Sequence, residues 1–177
     1  MKNISKLTTL NLLIGICVLA GALALLTHYI PLKDIPVLRE YVDISIWLTT
    51  SGQIATGSSF TDSASVYYSF AWLMVPLFFI LWWKLGKAYD GKYDTLLFVP
   101  VAQLTIWKRF TLIILTPLWA GIGVAGWYAF DGGDARLVKV GSSLAVLVCF
   151  GWIAPGAIAG TAFLFVASLK KAFFGKI

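Results

Sequence analysis

The stretch WWKLGKAYDGKYD, residues 82–94, marks the point where a long apolar run ends and lysines begin. Two tryptophans stand at the boundary, and three lysines and two aspartates follow within eleven residues. Tryptophan is enriched where a transmembrane helix meets the lipid headgroups, and lysine is enriched in cytoplasmic connecting segments. The stretch therefore indicates the end of a membrane-spanning helix, and the side on which it lies decides the topology of the chain.

The composition of the chain predicts a membrane location. Its 177 residues are 59% hydrophobic and only 12% charged, whereas soluble domains carry about 25% charged residues. The net charge is +6, but a nucleic-acid-binding protein needs its basic residues on one solvated face. Here the basic residues flank the apolar runs, so we expect the lipid bilayer, and no nucleic acid, as a partner.

The apolar runs define the predicted fold. A helix needs about 20 residues to cross the hydrocarbon core, and four uncharged runs meet this length: 7–27, 63–83, 110–130 and 140–169. The sequence predicts an all-α integral membrane protein, a single domain of residues 1–177 that forms a four-transmembrane-helix bundle. The connecting segments would be two outer loops, 28–62 and 131–139, and one cytoplasmic loop, 84–109.

Two other uncharged stretches are not predicted to span the membrane. Residues 44–61 contain TTSGQIATGSS, whose polar groups would find no partners in hydrocarbon. Residues 95–107 are too few and contain Pro100, which favours an interfacial or re-entrant segment. In the first outer loop, the pattern of residues 35–46 is typical of a short amphipathic helix on the outer surface. Thr61 or Asp62 is expected to cap the second span.

The distribution of lysine and arginine predicts the orientation. With a cytoplasmic N-terminus, the inner segments hold ten basic residues: Lys2, Lys6, Lys84, Lys87, Lys92, Lys108, Arg109, Lys170, Lys171 and Lys176. The outer segments hold four: Lys33, Arg39, Arg136 and Lys139. Ten against four is a clear positive-inside bias. We expect a bacterial plasma (inner) membrane protein with both termini, and residues 82–94, in the cytoplasm.

The two aspartates of the opening stretch, Asp90 and Asp94, have two interpretations. Carboxylates four residues apart could share a helical face and bind a cation. The sequence DGKYD instead favours a turn in which the neighbouring lysines neutralise both acids locally. We prefer the turn.

The outer loops carry the charged residues that a partner could contact: Arg39, Glu40, Asp131, Asp134 and Arg136. Asp131 and Asp134 could hold a divalent cation, but a calcium site takes six to eight oxygens. A tight Gly-Gly turn with locally neutralised acids is the better interpretation. These loops are therefore predicted to present a docking surface of mixed charge and no metal site.

Prolines and glycines recur within the predicted spans. Pro76, Pro117 and Pro155 are each expected to kink a helix. The spacing of small residues predicts a helix-packing or partner-binding face at Gly121, Gly126, Gly151, Gly156 and Gly160. Packing of the third span against the fourth, and docking of a helix from another protein, both account for this spacing.

Catalysis is not predicted. No charged residue lies within a span, which argues against an ion-coupled transporter. Cys17 and Cys149 form no redox pair, His28 is the single histidine, and the sequence contains no nucleophile, zinc or phosphate-loop motif. We therefore expect neither a metal nor any other cofactor.

Several features together resemble one known family. They are the length, the hydroxyl-rich TTSGQIATGSS, the apolar insert DTLLFVPVAQL in the basic loop, the short outer loop with ARLVK, and the C-terminal ASLKKAFFGK. On these the chain resembles the four-helix immunity proteins that protect bacteria against pore-forming colicins of the colicin A type. The resemblance implies an inner-membrane protein that binds a membrane-inserted toxin and prevents its pore from opening, without catalysis.

Two other classes of function stay open at the level of the sequence. A structural or accessory subunit of a secretion or conjugation machine would also lack charges within its spans and expose packing faces. A small lipid-modifying enzyme would depend on Asp131 and Asp134.

Overall fold

The computed structural model describes residues 4–48, 60–129, 134–135, 138–139 and 143–177. These residues are helical apart from turns and one short antiparallel pairing of β1, Asp134–Ala135, with β2, Val138–Lys139. The α-helices are α1 Ile4–Tyr29, α2 Pro36–Leu48, α3 Thr61–Ser69, α4 Ala71–Tyr89, α5 Ile106–Ala129, α6 Leu144–Phe150 and α7 Ile153–Phe174. Two single 3₁₀ turns, Leu32–Asp34 and Val101–Gln103, lie between them. The predicted all-α class is confirmed.

Three helical segments are long and apolar enough to cross a membrane: Thr8–Tyr29, Ala71–Tyr89 and Leu144–Phe174. They indicate a membrane protein with several spans. Residues 110–129 of the predicted third span lie in α5, whose first turn contains Lys108 and Arg109 and whose side chains are described only as far as Val124. The count of four spans, and the orientation, therefore remain predictions.

The long helices pack side by side in a defined order. α5 packs against α7, α7 also packs against α4, and α4 packs against α1. α3 contacts α1, α2 and α6, and all of its residues from Ser63 to Ser69 are buried. The main apolar cluster joins α1, α3 and α4 through residues such as Leu13, Tyr67 and Met74. The hydroxyl-rich α3 therefore lies inside the helical assembly rather than at its periphery.

The second and fourth predicted spans are each broken into two helices. The fourth breaks at Gly151 and Trp152, between α6 and α7. Pro155 explains this position, because a proline within a helix lacks an N–H and its ring clashes with the carbonyl four residues earlier, here that of Gly151. In the observed structure Pro155 lies in the first turn of α7, where N–H groups have no intrahelical partner. The second span breaks at Phe70, six residues before Pro76.

The amphipathic helix predicted within residues 35–46 is α2. Val42 and Ser45 of α2 are buried. The Tyr41 hydroxyl donates a hydrogen bond to the Ser69 carbonyl at 3.2 Å and accepts one from the indole N–H of Trp72, also at 3.2 Å. α2 is therefore attached to the junction of α3 and α4.

The predicted cap of the second span was wrong. α3 begins at Thr61, and its N-cap residue is Phe60, whose side chain makes no capping hydrogen bond. Asp62 lies in the first turn, and its carboxylate accepts a hydrogen bond from the backbone N–H of Leu32 at 3.1 Å. Asp62 therefore links α3 to the segment between α1 and α2 and does not cap its own helix.

The segment after α4 folds against the ends of α5 and α7. Val99 and Leu104 are buried in one cluster with Leu112 of α5 and Ala172 of α7. α7 ends at Gly175, whose φ of 73° is the left-handed conformation that glycine adopts most easily at a helix C-terminus. This end of the molecule is consequently a packed structure built from three parts of the chain.

Candidate functional site

A groove lies on the side of the molecule between α5 and α7. Its volume is about 360 Å³, near the lower end of the range for small-ligand pockets. Its lining residues are Trp119, Ala120, Gly123 and Val124 of α5 and Ile158, Thr161, Ala162 and Phe165 of α7. The groove is apolar, and it lies between two helices.

Small residues create this groove. A methyl group added at Gly123 would approach the Thr161 hydroxyl oxygen to 2.7 Å, so glycine is what allows α5 and α7 to lie this close. The Thr161 hydroxyl donates a hydrogen bond to the Ile158 carbonyl at 2.9 Å, which satisfies its polar group on its own helix. Ala120 and Ala162 also line the groove, and their side chains are small. The result is an apolar slot with several small lining residues.

The glycines predicted as a packing or partner face fall into three environments. Gly156 and Gly160 face α4, where added methyl groups would lie 3.6 Å from the Phe78 ring and 3.6 Å from the Trp82 indole nitrogen. A partner helix could reach these two glycines only by displacing Phe78 and Trp82. These two glycines therefore lie at the contact between α7 and α4 of the same chain, a pairing that the spacing of residues alone did not distinguish.

The remaining predicted glycines differ from that pair. A methyl group at Gly151 would lie 2.5 Å from the Leu147 carbonyl oxygen and 2.6 Å from the Tyr67 ring. Gly121 is exposed, and nothing lies within 4 Å of a methyl group added there. Gly126 lies in α5, beyond the last described side chains. Of the predicted set, Gly121 is the described glycine that stays open to an approaching helix.

The predicted outer contacts are only partly described. Asp131 and Arg136 lie outside the described residues, and Asp134 is described by its backbone, in register with Lys139. Arg39 and Glu40 are exposed on α2. The Arg39 guanidinium lies 3.9 Å from the Asp43 carboxylate, one helical turn away. The structure therefore leaves Arg39 and Glu40 accessible and does not bring them to the α5–α7 groove.

The local neutralisation predicted for Asp90 was wrong. Its carboxylate pairs with the ammonium group of Lys171 on α7 and accepts a hydrogen bond from the backbone N–H of Ile177 at 3.0 Å. The Lys171 side chain is completely buried, and that of Asp90 is 17% exposed. Asp94 pairs instead with the ammonium group of Lys108 at 3.8 Å, and its side chain is 83% exposed.

The sequence contains a pattern that indicates the burial of Lys171. Gly156, Gly160, Phe163 and Ala167 lie at helical spacing on the packed face of α7, and the next position of that face is Lys171. A charge that continues an inward-facing pattern requires a partner, because an unpaired buried charge is costly.

A second polar feature that the sequence did not single out is the hydroxyl content of α3. Ser63, Ser65 and Ser69 are buried together with Tyr67 and Tyr68. The Ser69 hydroxyl donates to the Val66 carbonyl at 2.7 Å. The Tyr67 hydroxyl lies near the backbone of Trp152 but makes no hydrogen bond with it. The Tyr68 hydroxyl has no hydrogen-bond partner among the described residues.

The described residues bring together no group of three or more His, Cys, Asp or Glu side chains that could hold a metal ion. Cys17 is half-buried on α1 and Cys149 is exposed on α6, both as free thiols. What the described residues offer is an apolar surface for packing. No family model, curated protein or solved structure matches this chain.

Proposed function

We propose that this chain binds a transmembrane helix of another membrane-inserted protein in the α5–α7 groove, without catalysis or a cofactor. The observation that carries the proposal is the groove itself. It is apolar, it lies between two helices, and Ala120, Gly123 and Ala162 are among its lining residues. Helices associate in lipid mainly through close van der Waals packing, which small residues permit. An apolar helix is the occupant that matches a slot of this chemistry.

We further propose that the bound protein is a pore-forming toxin and that the chain is an immunity protein. The resemblance to immunity proteins against colicins of the colicin A type supports this partner. An inhibitor of this kind requires a surface that recognises toxin helices within the bilayer and needs no active site. The exposed Gly121 of α5 adds a position where a helix could approach closely.

The proposed arrangement is a four-span protein of the bacterial plasma membrane with both termini in the cytoplasm. The excess of lysine and arginine in the inner segments, ten against four, supports this orientation. In it, Lys171, Asp90 and the C-terminus lie on the cytoplasmic side. Arg39 and Glu40 lie on the outer side, where a secreted toxin arrives.

The test is a measurement of membrane potential in the bacterium that carries the gene. A deletion strain is grown together with its parent, and a potential-sensitive dye reports depolarisation of each strain. We expect the deletion strain to depolarise and a plasmid copy of the gene to prevent this.

An intact potential in the deletion strain, with the toxin shown to be produced, would refute immunity. Affinity purification from mild detergent distinguishes the alternative. A subunit of a secretion or conjugation machine would be recovered with fixed stoichiometric partners from cells that produce no toxin.

A further inference from the structure

Two lysines from different helices meet at one tryptophan near the end of α4. The ammonium group of Lys170, on α7, lies 5.0 Å from the centroid of the Trp83 ring. That of Lys87, one turn after Trp83 on α4, lies 5.6 Å from the same centroid. Both distances are within the range of cation–π attraction. We call Trp83, Lys87 and Lys170 the lysine–tryptophan cluster.

The tryptophan of this cluster is held in place from other directions. Phe79 stacks with Trp83 at a centroid distance of 6.0 Å, and Phe163 contacts it edge-on at 6.2 Å. Phe163 itself is buried against Ala167. The indole therefore holds a fixed orientation, and it positions the two ammonium groups without requiring a partner protein.

The two positive charges have no acidic partner in the described part of the chain. The nearest acids along the sequence are Asp90 and Asp94, and both are engaged, by Lys171 and Lys108 respectively. The ends of α4 and α7 therefore present two ammonium groups beside one ring without a carboxylate to neutralise them. An anion would supply the missing counter-charge.

We propose that the lysine–tryptophan cluster binds the phosphate of an anionic phospholipid. Trp83 lies in α4, which is apolar enough to span the membrane, six residues before its end. Tryptophan at such a position lies at the level of the headgroups. In the orientation proposed above, on which this step rests, the cluster is cytoplasmic, and basic groups between helices on that side bind anionic headgroups. The exposed Trp82, which precedes Trp83 on the apolar part of α4, provides apolar surface for the acyl chains.

The experiment is a lipid titration of the purified chain in mild detergent, followed by native mass spectrometry. Dioleoyl phosphatidylglycerol is compared with dioleoyl phosphatidylcholine, which has the same acyl chains and no net charge. We expect the first phosphatidylglycerol to bind about tenfold more tightly than phosphatidylcholine, because each lysine contributes about fivefold at most to an anionic headgroup.

The variant K87Q/K170Q should lose this preference and retain its helical circular dichroism. The control K92Q/K176Q removes the same charge from two exposed lysines outside the cluster and should change the preference less than about twofold. K87R/K170R keeps both charges and should keep the preference. Millimolar inorganic phosphate should not displace the bound lipid.

Three results would overturn the proposal. The preference could survive in K87Q/K170Q, or it could fall equally in K92Q/K176Q, which would show a diffuse charge effect. Displacement of the lipid by inorganic phosphate would show that the cluster recognises the free ion rather than a membrane lipid.

Discussion

The buried ion pair between Lys171 and Asp90 is the feature most sensitive to a single substitution. Asp90→Asn leaves the shape of the side chain almost unchanged and removes its negative charge. Lys171 has no exposed side-chain surface, so its ammonium group would stay in a packed environment without a counter-charge. The backbone N–H of Ile177, which now donates to the Asp90 carboxylate, would also lose a charge-assisted hydrogen bond.

The magnitude follows from the burial of the pair. Removal of one partner of a buried ion pair costs about 3–5 kcal/mol of unfolding free energy. The chain provides a matched control four residues later, since Asp94 pairs with Lys108 and is 83% exposed. Asp94→Asn should cost less than about 1 kcal/mol, because exposed pairs contribute little. The double variant D90N/K171M should recover most of the lost unfolding free energy, because the buried site then holds an apolar side chain instead of an unpaired charge.

The assay is thermal unfolding in mild detergent, followed by circular dichroism for the wild type and the three variants. For a chain of this size, the loss expected for Asp90→Asn corresponds to a melting temperature lower by about 6 °C or more. Equal melting temperatures for Asp90→Asn and Asp94→Asn would refute the reasoning, because they would show that Lys171 reaches water or finds another partner.

Two further predictions concern packing and topology. Gly86→Ala should destabilise the protein by about 1–3 kcal/mol, because the new methyl group would lie 2.4 Å from the Phe163 ring. Gly15→Ala, where nothing lies within 4 Å of the added methyl group, should be neutral or stabilising. Thermal unfolding compares the two variants, and equal destabilisation would contradict the packing of α4 on α7. In a background without native cysteines, Arg39→Cys should react with a membrane-impermeant thiol reagent in intact cells and Lys92→Cys only after permeabilisation; the reverse pattern would contradict the proposed orientation.

Much of the fold followed from patterns that depend on neighbouring residues. The apolar runs predicted where the long helices lie, because a helix in lipid must be apolar over a fixed length. The spacing of residues 35–46 predicted α2, because one apolar face and one charged face at helical period define an amphipathic helix. Such signals are local, and the sequence contains them in full.

The breaks and the ion pairs were harder to predict because they depend on contacts between distant segments. The break at Gly151 follows from Pro155, but the Tyr67 ring also lies 2.6 Å from where a methyl group on residue 151 would be, a contact that local sequence does not show. Asp90 was assigned to lysines nearby in sequence, yet its partner on α7 is 81 positions away. Local charge balance predicts a plausible neighbour, whereas the packing of α4 and α7 determines the actual one.

In the candidate site, too, some features follow from local sequence and others depend on contacts between distant segments. The spacing of small residues predicted that the third and fourth spans carry a packing face, and Gly123, whose neighbours Gly121 and Gly126 were singled out, permits the close contact of α5 and α7. The sequence did not indicate that Gly156 and Gly160 face α4. That distinction depends on the rotation of α7 about its axis, which tertiary contacts set.

The central claim, that the α5–α7 groove receives a helix of a pore-forming toxin, is tested most directly by filling the groove. Ala162→Phe places a ring among the lining residues, and Ala157→Phe places the same ring at an exposed position of α7 that does not line it. Each variant is supplied on a plasmid to the deletion strain, its membrane level is matched to wild type, and a potential-sensitive dye is read in co-culture with the parent. The account predicts that wild type and Ala157→Phe preserve the membrane potential and that Ala162→Phe does not. Full protection by Ala162→Phe would contradict it.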